Sequence, residues 1–463
     1  MVKLAVIADD LTGANDTGVQ FAKKCLDTTV LFSDTQLEAP HLTSDIIVLN
    51  SESRALNSQK AYEAVCTLSE QLKKQGIKKV LKKIDSTMRG NVGTEIDAVM
   101  DVFKFKTSFL VPAFPKSERI TVYGKHYVYG VPLEETEIAN DPTCPVNESY
   151  LPKLVQEQSK RKVELISLED VKKGKRHLAE IMNQLTSGED SKIVVVDATT
   201  EEELKTIVKA AQFLKENVLW VGSAGIAYHL CSTEQRREPF RKGQDSNRLP
   251  VLVVAGSVTS VTYLQVQELK RQKKIGEIVI SPEKFLDDHM RTQEIERVVK
   301  EGQELLLKGD LVIVTNRSSE AIDRVRAIQH SLGLTNFEAS SAIAQSMGLI
   351  AGLLIESRNI SGAVLTGGDI AGATCKVLNG KGIRVIGEVE DGLPYGKVFG
   401  GFFDGLPLVT KAGAFGTEHA LVKALQTLTE IHDEQETIYW CRSCNEINGN
   451  ESATVKHTHV SPS

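Results

Sequence analysis

At 463 residues the chain is too long for one ordinary core, and about two domains of 150–250 residues are expected. Its 41% apolar and 25% charged content is that of a soluble globular protein, and a net charge of −6 gives no reason to expect nucleic acid or a membrane surface as partner. Seven scattered cysteines suggest reduced thiols in a cytoplasmic protein; Asp9 breaks the first apolar run, so no signal peptide is expected, and no apolar run approaches membrane-spanning length.

The first predicted element is a strand over Leu4–Ala8, a continuous apolar run of the kind buried on both faces. It ends in two carboxylates, Asp9 and Asp10. Thr12, Gly13, Asn15 and Asp16 follow as loop and helix-start residues, and Gly18, Ala22 and Cys25 then fall on one helical face. In an open parallel sheet, ligands bind beyond the carboxyl ends of the strands, which is where the aspartate pair would sit. The plainer alternative is a solvated pair, with Asp16 capping the helix.

Further strands are predicted over Thr29–Phe32, Ile46–Asn50, Val80–Ile84, Phe109–Pro112, Ile193–Asp197 and Val218–Gly222. Helices are expected near Ser58–Gln75, Gly93–Val102, Leu168–Leu185 and Thr200–Lys215. This alternation argues for a parallel, doubly wound α/β sheet. Polar residues gather at strand ends: Ser51 to Arg54 after the third run, and Lys82, Lys83, Asp85, Ser86, Thr87, Arg89, Gly90 and Asn91 around the fourth. Cations to hold a carboxylate and an aspartate to hold hydroxyls suit a small polyhydroxylated acid. A solvated strand end with capping residues is the alternative. Val111 to Val146, rich in Pro and Gly, reads as a long excursion. It could form a hairpin arm with strands Ile120–Tyr123 and His126–Tyr129, in which His126 is either packed or a base.

Thr233 to Leu249 is charged and nearly free of apolar residues, and reads as the interdomain linker. A second β-α series follows, with strands at Val251–Ala255, Ile278–Ser281, Leu311–Thr315, Gly362–Thr366 and Ile383–Ile386. Its helices are expected near Thr259–Gln272, Asp288–Lys308 and Ala339–Ser357. Three Gly-rich turns follow strands here: Ala255 to Thr259, Leu365 to Ala371, and Thr410 to Gly416. Such turns let backbone N–H groups and helix starts meet phosphates. The dinucleotide and P-loop fingerprints are absent, because Val385 and Val398 stand where those motifs need Gly and Ser or Thr. Glu388, Asp391, Gly392, Gly400, Gly401 and Asp404 mark a loop-rich region whose carboxylates either reach a magnesium ion or form turns. The polar tail carries Cys441, Cys444, His457 and His459, whose spacing does not match a standard zinc finger. The domain reading is 1–235 for the small polyhydroxylated acid, 236–249 as linker, 250–430 for a phosphate or nucleotide and 431–463 as polar tail.

These motifs, in this order, resemble those of the four-carbon acid sugar kinases, most of all the D-threonate and D-erythronate kinase branch. The resemblance runs from Ala8-Asp9-Asp10-Leu-Thr-Gly-Ala through Lys82 to Asn91, Pro112 to Pro115, Gly130 to Glu137, Gly256 to Thr259 and Leu365 to Asp369, to Thr410 to Gly413. It covers the chain up to about Leu428. It implies two α/β domains, each with a mainly parallel doubly wound sheet, and an active site in the cleft between them. By motif, Asp10, Arg54, Lys82, Lys83, Ile84 and Asp85 match the family's substrate contacts. Ser257, Gly367, Gly368, Asp369, Ile370 and Gly413 match its ATP contacts. Ile370 stands where Thr is frequent, Ala414 where Gly is common, and Glu118 where Gly is common.

The expected reaction is ATP-dependent phosphorylation of the C4 hydroxyl of D-threonate or D-erythronate, with Mg2+ bridging the phosphates. Such transfer needs positioning and charge neutralisation. Arg54, Lys82 and Lys83 would hold the acid, and Asp10 or Asp85 would take the hydroxyl proton. The alternatives are a 3-oxo-tetronate 4-kinase of the same family and a non-catalytic sugar-acid and nucleotide sensor. The metal ligands and the oligomeric state, a homodimer included, are left open by the sequence.

Overall fold

The computed structural model describes residues 2–33, 35–38, 42–141, 143–231, 249–257, 259–413 and 415–432. The apolar runs do become strands, and fifteen of those described join in one sheet. Their spatial order is Gly276–Ile280, Leu311–Thr315, Val251–Ala255, Gly362–Thr366, Pro407–Lys411, Pro394–Phe399, Gly382–Glu388, Thr28–Leu31, Ile46–Asn50, Leu4–Ala8, Val80–Lys83, Leu219–Gly222, Thr107–Val111, Lys192–Val196 and Lys162–Ile166. The expected two separate sheets are therefore continuous. Each half is parallel, and the antiparallel pairings are confined to the middle, around Pro394–Phe399 and between Gly382–Glu388 and Thr28–Leu31. That last pairing covers what would otherwise be an open edge of the N-terminal half. It demands close approach: a Cβ at Gly382 would lie 2.1 Å from the Val30 carbonyl oxygen.

Helices cover both faces of the sheet. The helix Leu11–Ala22 is buried along almost its whole length. It packs across the junction, with Gly18 against Val30 and Val385. One continuous apolar core accordingly runs from Val6, Leu11 and Val19 of the N-terminal half to Ile370, Ile383 and Leu408 of the C-terminal half. Because Thr28–Leu31 and Gly382–Glu388 are antiparallel, the two halves' strands start out pointing opposite ways. Sheet twist of about 20–25° per strand accumulates across the strands between Leu4–Ala8 and Gly362–Thr366. The helix starts that follow those two strands end up adjacent: a Cβ at Gly368 would lie 2.8 Å from Thr12 Oγ1.

Several local expectations change. The first helix begins at Leu11, capped by Asp10 rather than Asp16. The helix expected over Leu168–Leu185 is two, Leu168–Lys172 and Lys175–Thr186, broken where Gly174 takes φ +92°. Lys162–Ile166 is an edge strand whose half-exposed KVELI pattern lacks an apolar run. Pro394–Phe399 is a strand despite its proline and glycine, within the region taken as loop. There Glu388 pairs with Lys23 and accepts from Gly392 N, and Asp404 accepts from Gly400 N, so both are turn and junction formers. The helix Asn336–Ser357 is apolar and long enough to cross a membrane by composition, contrary to the sequence reading, and half of it is buried in the fold. The linker except Leu249, most of 431–463 with Cys441, Cys444, His457 and His459, and Ala414 lie outside the described residues.

Candidate active site

The N-terminal part of the site starts where the buried strand Leu4–Ala8 runs out. Asp10 leaves the strand in an extended conformation and its Oδ1 accepts from Gly13 N at 2.8 Å, starting the helix. Arg54, just beyond Ile46–Asn50, reaches both aspartates. Its Nε and Nη2 bond Asp9 at 2.8 and 3.1 Å, and Nη1 and Nη2 bond Asp10 at 2.7 Å each. Burial works against a charged Asp9, but Arg54, with Lys82 and Lys83, holds its carboxyl below the usual range. Arg54 itself is held well above its ordinary value by Asp9, Asp10 and Asp85, against the cost of burial.

The strand Val80–Lys83 delivers the next set. Lys82 is fully buried; its Nζ bonds Glu95 Oε2 at 2.6 Å and the Lys83 carbonyl at 2.8 Å. Burial pushes the Glu95 carboxyl up, and Lys82 only partly offsets it. Lys83 Nζ donates to the Ile84 carbonyl at 2.8 Å and lies beside the first helical turn, where a Cβ at Gly13 would fall 2.8 Å from it. Ile84 is buried and contributes its backbone. Asp85 accepts from Arg89 Nε at 2.7 Å and from the Thr87 hydroxyl, and Arg89 Nη1 continues to Asp141 at 3.1 Å. Despite burial, Arg54 and Arg89 hold Asp85 far below the carboxylate range.

The excursion after Thr107–Val111 is an arm of three short antiparallel strands, Arg119–Val122, Lys125–Val128 and Val131–Pro132. His126 is packed in it, with no exposed surface. Its Nε2 lies 2.8 Å from the Ser86 carbonyl and so donates, and Nδ1 then accepts from the Thr121 hydroxyl at 2.9 Å. Burial pushes this imidazole down to about 4. His126 therefore braces the Asp85–Thr87 loop and has no free nitrogen for a base.

The C-terminal part is made of turns. Ser257 follows Val251–Ala255, Gly367 follows Gly362–Thr366, and Gly413 follows Pro407–Lys411. They converge: a Cβ at Gly413 would lie 2.6 Å from Ser257 Oγ, and one at Gly256 would lie 2.3 Å from Ile370 Cδ1. Thr259 and Thr262 hydroxyls both donate to the Gly413 carbonyl, at 3.1 and 2.8 Å. Gly367 takes φ +107° and caps the helix Gly368–Val377 without any side chain, so its first amides are open to a ligand. Asp369 stands in that first turn, its carboxyl raised by burial and by Asp10 from the other half. Beside Ser257 a cavity of about 170 Å³ opens between helix Ser260–Gln272 and the strand ends at Val279 and Thr315, with Tyr263 and Arg317 at its rim.

The two halves match family descriptions of their own: a sugar-binding N-terminal domain over residues 4–230 and a nucleotide-binding C-terminal domain over residues 252–421. A D-threonate kinase from Salmonella typhimurium is 37% identical over 93% of this chain and 99% of its own length. The chain belongs to the four-carbon acid sugar kinase family. A D-erythronate kinase from Heliobacterium modesticaldum is 32% identical over 94% of this chain and 99% of its own. The solved structure of Haemophilus influenzae protein HI1011 shares the fold, with a TM-score of 0.72 and 24% identity over 92% of this chain and all of that one.

The kinase's departures from the family pattern have visible contexts. Ile370 is buried beneath Gly256, so its side chain fills core and offers no hydroxyl. Glu118 takes φ +56°, a left-handed conformation that explains why glycine is common there. Sequence reasoning passed over Glu95, Asp141 and Lys411. Glu95 is one of three carboxylates on the helix Val92–Phe103, with Asp97 and Asp101, and no sequence signal singles it out.

Proposed function

We propose that this kinase transfers the terminal phosphoryl group of ATP to the C4 hydroxyl of D-threonate or D-erythronate, in the gap where the Asp10 and Gly368 helix starts meet. The observation that carries this reading is the contact of Thr12 with Gly368, which puts a cluster of fixed charges against a helix start with open amides. Arg54, Lys83 and Arg89 supply the cations for the acid's carboxylate. Lys82 supports them from beneath through Glu95 and the Lys83 carbonyl. Asp10 and Asp85 face the hydroxyls, and Asp10, adjoining the nucleotide side, orients the C4 hydroxyl and accepts its proton. Asp85, which Arg54 and Arg89 hold far below the carboxylate range despite burial, is the weaker base. Ser257, Gly367 to Ile370 and Gly413 cradle the phosphates, and the cavity beside Tyr263 takes the nucleoside.

Among the described residues no three carboxylate, histidine or cysteine groups converge on an ion. That fits Mg2+, which binds through phosphates with one or two carboxylates and keeps its waters. Asp369, whose carboxyl Asp10 raises, is the side chain placed to hold it, and the ion would supply charge neutralisation.

The test is ADP release with D-threonate, D-erythronate, their stereoisomers and 3-oxo-tetronates. D-threonate or D-erythronate should give the highest kcat/KM; a 3-oxo-tetronate leading the panel would replace the acceptor proposed here. Asp10→Asn should lose more turnover than Asp85→Asn, and near-normal turnover in both would remove either as base.

A further inference from the structure

Among the described residues three lysines are buried: Lys82 at 0%, Lys411 at 1% and Lys83 at 4% exposure. Lys82 has a carboxylate against its ammonium, and Lys83 lies in the field of Asp9 and Asp16. Lys411 has no carboxylate partner among the described residues: its Nζ bonds the Thr262 hydroxyl at 3.2 Å, the Ala412 carbonyl at 3.0 Å and the Gly413 carbonyl at 2.8 Å, all neutral oxygens. A buried ammonium without a counter-charge is costly and is retained only where something compensates it.

The charged groups on the elements around it are engaged elsewhere. Glu390, whose field reaches Lys411, is bonded to Lys423 at 2.7 Å and to Thr417 N at 2.6 Å. Glu268, on the helix that carries Thr262, is bonded to Arg271. Asp369, on the neighbouring turn, makes no ion pair with Lys411 among the described residues. The position of Lys411 is equally specific. Its carbonyl accepts from Gly367 N at 2.8 Å, and its side chain holds the Gly413 carbonyl, so it ties together two of the three turns read as the phosphate cradle.

We propose that Lys411 is the buried positive charge against which the nucleotide phosphates bind, acting through the Gly413 turn rather than by touching them. It is a positioning residue, and the proposal rests on the nucleotide reading given above. By drawing the Ala412 and Gly413 carbonyls inward, the ammonium turns their negative ends away from the cradle. Its own charge, which no carboxylate meets among the described residues, is compensated when a polyphosphate binds. Burial pushes the Lys411 ammonium down to about 8, and a bound polyphosphate raises it. Nucleotide binding near and above pH 8 therefore takes up a proton.

The experiment is calorimetric titration of ADP into the full chain and into Lys411→Met, from pH 7 to 9, in two buffers of different ionisation enthalpy. D-threonate titration and a thermal melt serve as folding controls. In the wild type, ADP affinity should fall above pH 8 and binding should take up as much as one proton. Lys411→Met should bind ADP about tenfold or more weakly at pH 7, since the positive charge behind the phosphate cradle is lost. It should show a flat pH profile with no proton uptake, and unchanged D-threonate affinity. Wild-type affinity and profile in Lys411→Met would overturn the proposal. So would wild-type binding without proton uptake, which decides the matter even if the variant does not fold. A wild type that binds D-threonate but no ADP at any pH would instead overturn the nucleotide reading on which the proposal stands.

Discussion

The two sides of the proposed gap are built from different materials. On the N-terminal side nearly every charge already has its opposite: Arg54 with Asp9 and Asp10, Lys82 with Glu95, Arg89 with Asp85 and Asp141. On the C-terminal side the groups proposed to face the nucleotide are backbone turns and hydroxyls, and among the described residues the buried Lys411 has only neutral partners. A network of paired charges is rigid before any ligand enters, and can hold a small acid in one pose. Turns of bare amides set no such pattern but suit a chain of phosphates. The consequence is separable: damage on the first side strikes stability and turnover together, whereas damage on the second strikes nucleotide affinity alone.

The sharpest way to break that comparison is Arg54→Ala. Asp9, 2% exposed, would lose its partner inside the protein, at a cost of about 3–5 kcal/mol. Turnover of the sugar acid should drop about a hundred- to thousandfold, since charge aimed at the reacting groups is lost with it. Arg54→Lys should restore part of the melting temperature but little turnover, because lysine lacks the fork that spans two carboxylates. A loss confined to the ATP KM would contradict the division. Next in size is acid. Asp85 is held below its unfolded value, so its contribution is complete above about pH 4 and lost as pH falls further. His126 stays neutral down to about 4 while the unfolded chain takes up a proton near 6.5, so stability declines as pH falls through that interval. Denaturant melts should show a decline of about 2 kcal/mol between pH 7 and pH 5, reduced in His126→Gln.

Much of this was legible in the sequence because it depends on runs and punctuation. Continuous apolar stretches located the buried strands, and polar or glycine residues after them located Asp10, Arg54, Lys83 and Asp85 on one side and Ser257, Gly367 and Gly413 on the other. What was not legible depends on contacts made at a distance. Nothing local says that Gly382–Glu388 pairs antiparallel with Thr28–Leu31 and makes one sheet of two. Lys82 and Lys83 are adjacent and look alike, yet the alternation of a strand sends one to Glu95 and the other to the helix start. Lys411 was in plain view within its turn, but that it has no carboxylate is a property of its surroundings. His126 could be read either way until its two nitrogens were seen to be occupied.

The opposite side is tested by Gly413→Ala. Its new methyl carbon would fall 2.6 Å from Ser257 Oγ, so the cradle must open slightly. The ATP KM should rise about tenfold, the effect of roughly 1.4 kcal/mol, with the sugar-acid KM and the melting temperature little changed. An equal rise in the sugar-acid KM would mean that the turns also shape the first site, and the separation would fail.

The smallest effect sharpens the comparison at the seam itself. Asp16 lies one turn below Thr12, and no ion pair holds it among the described residues. Burial, with Glu388 and Asp10 nearby, raises its carboxyl to about 6 in spite of Lys83 and Lys23. The folded chain thus keeps a proton that the unfolded chain releases near 4, so stability falls as pH rises between those values and stays lower above 6. Asp16→Asn removes that penalty. Its melting temperature should exceed the wild type's by about 1–2 °C at pH 7.5, and the two should converge at pH 4. A variant less stable than wild type at pH 7.5 would show instead that Asp16 is paired as fully as its neighbours, and that charge matching extends across the seam.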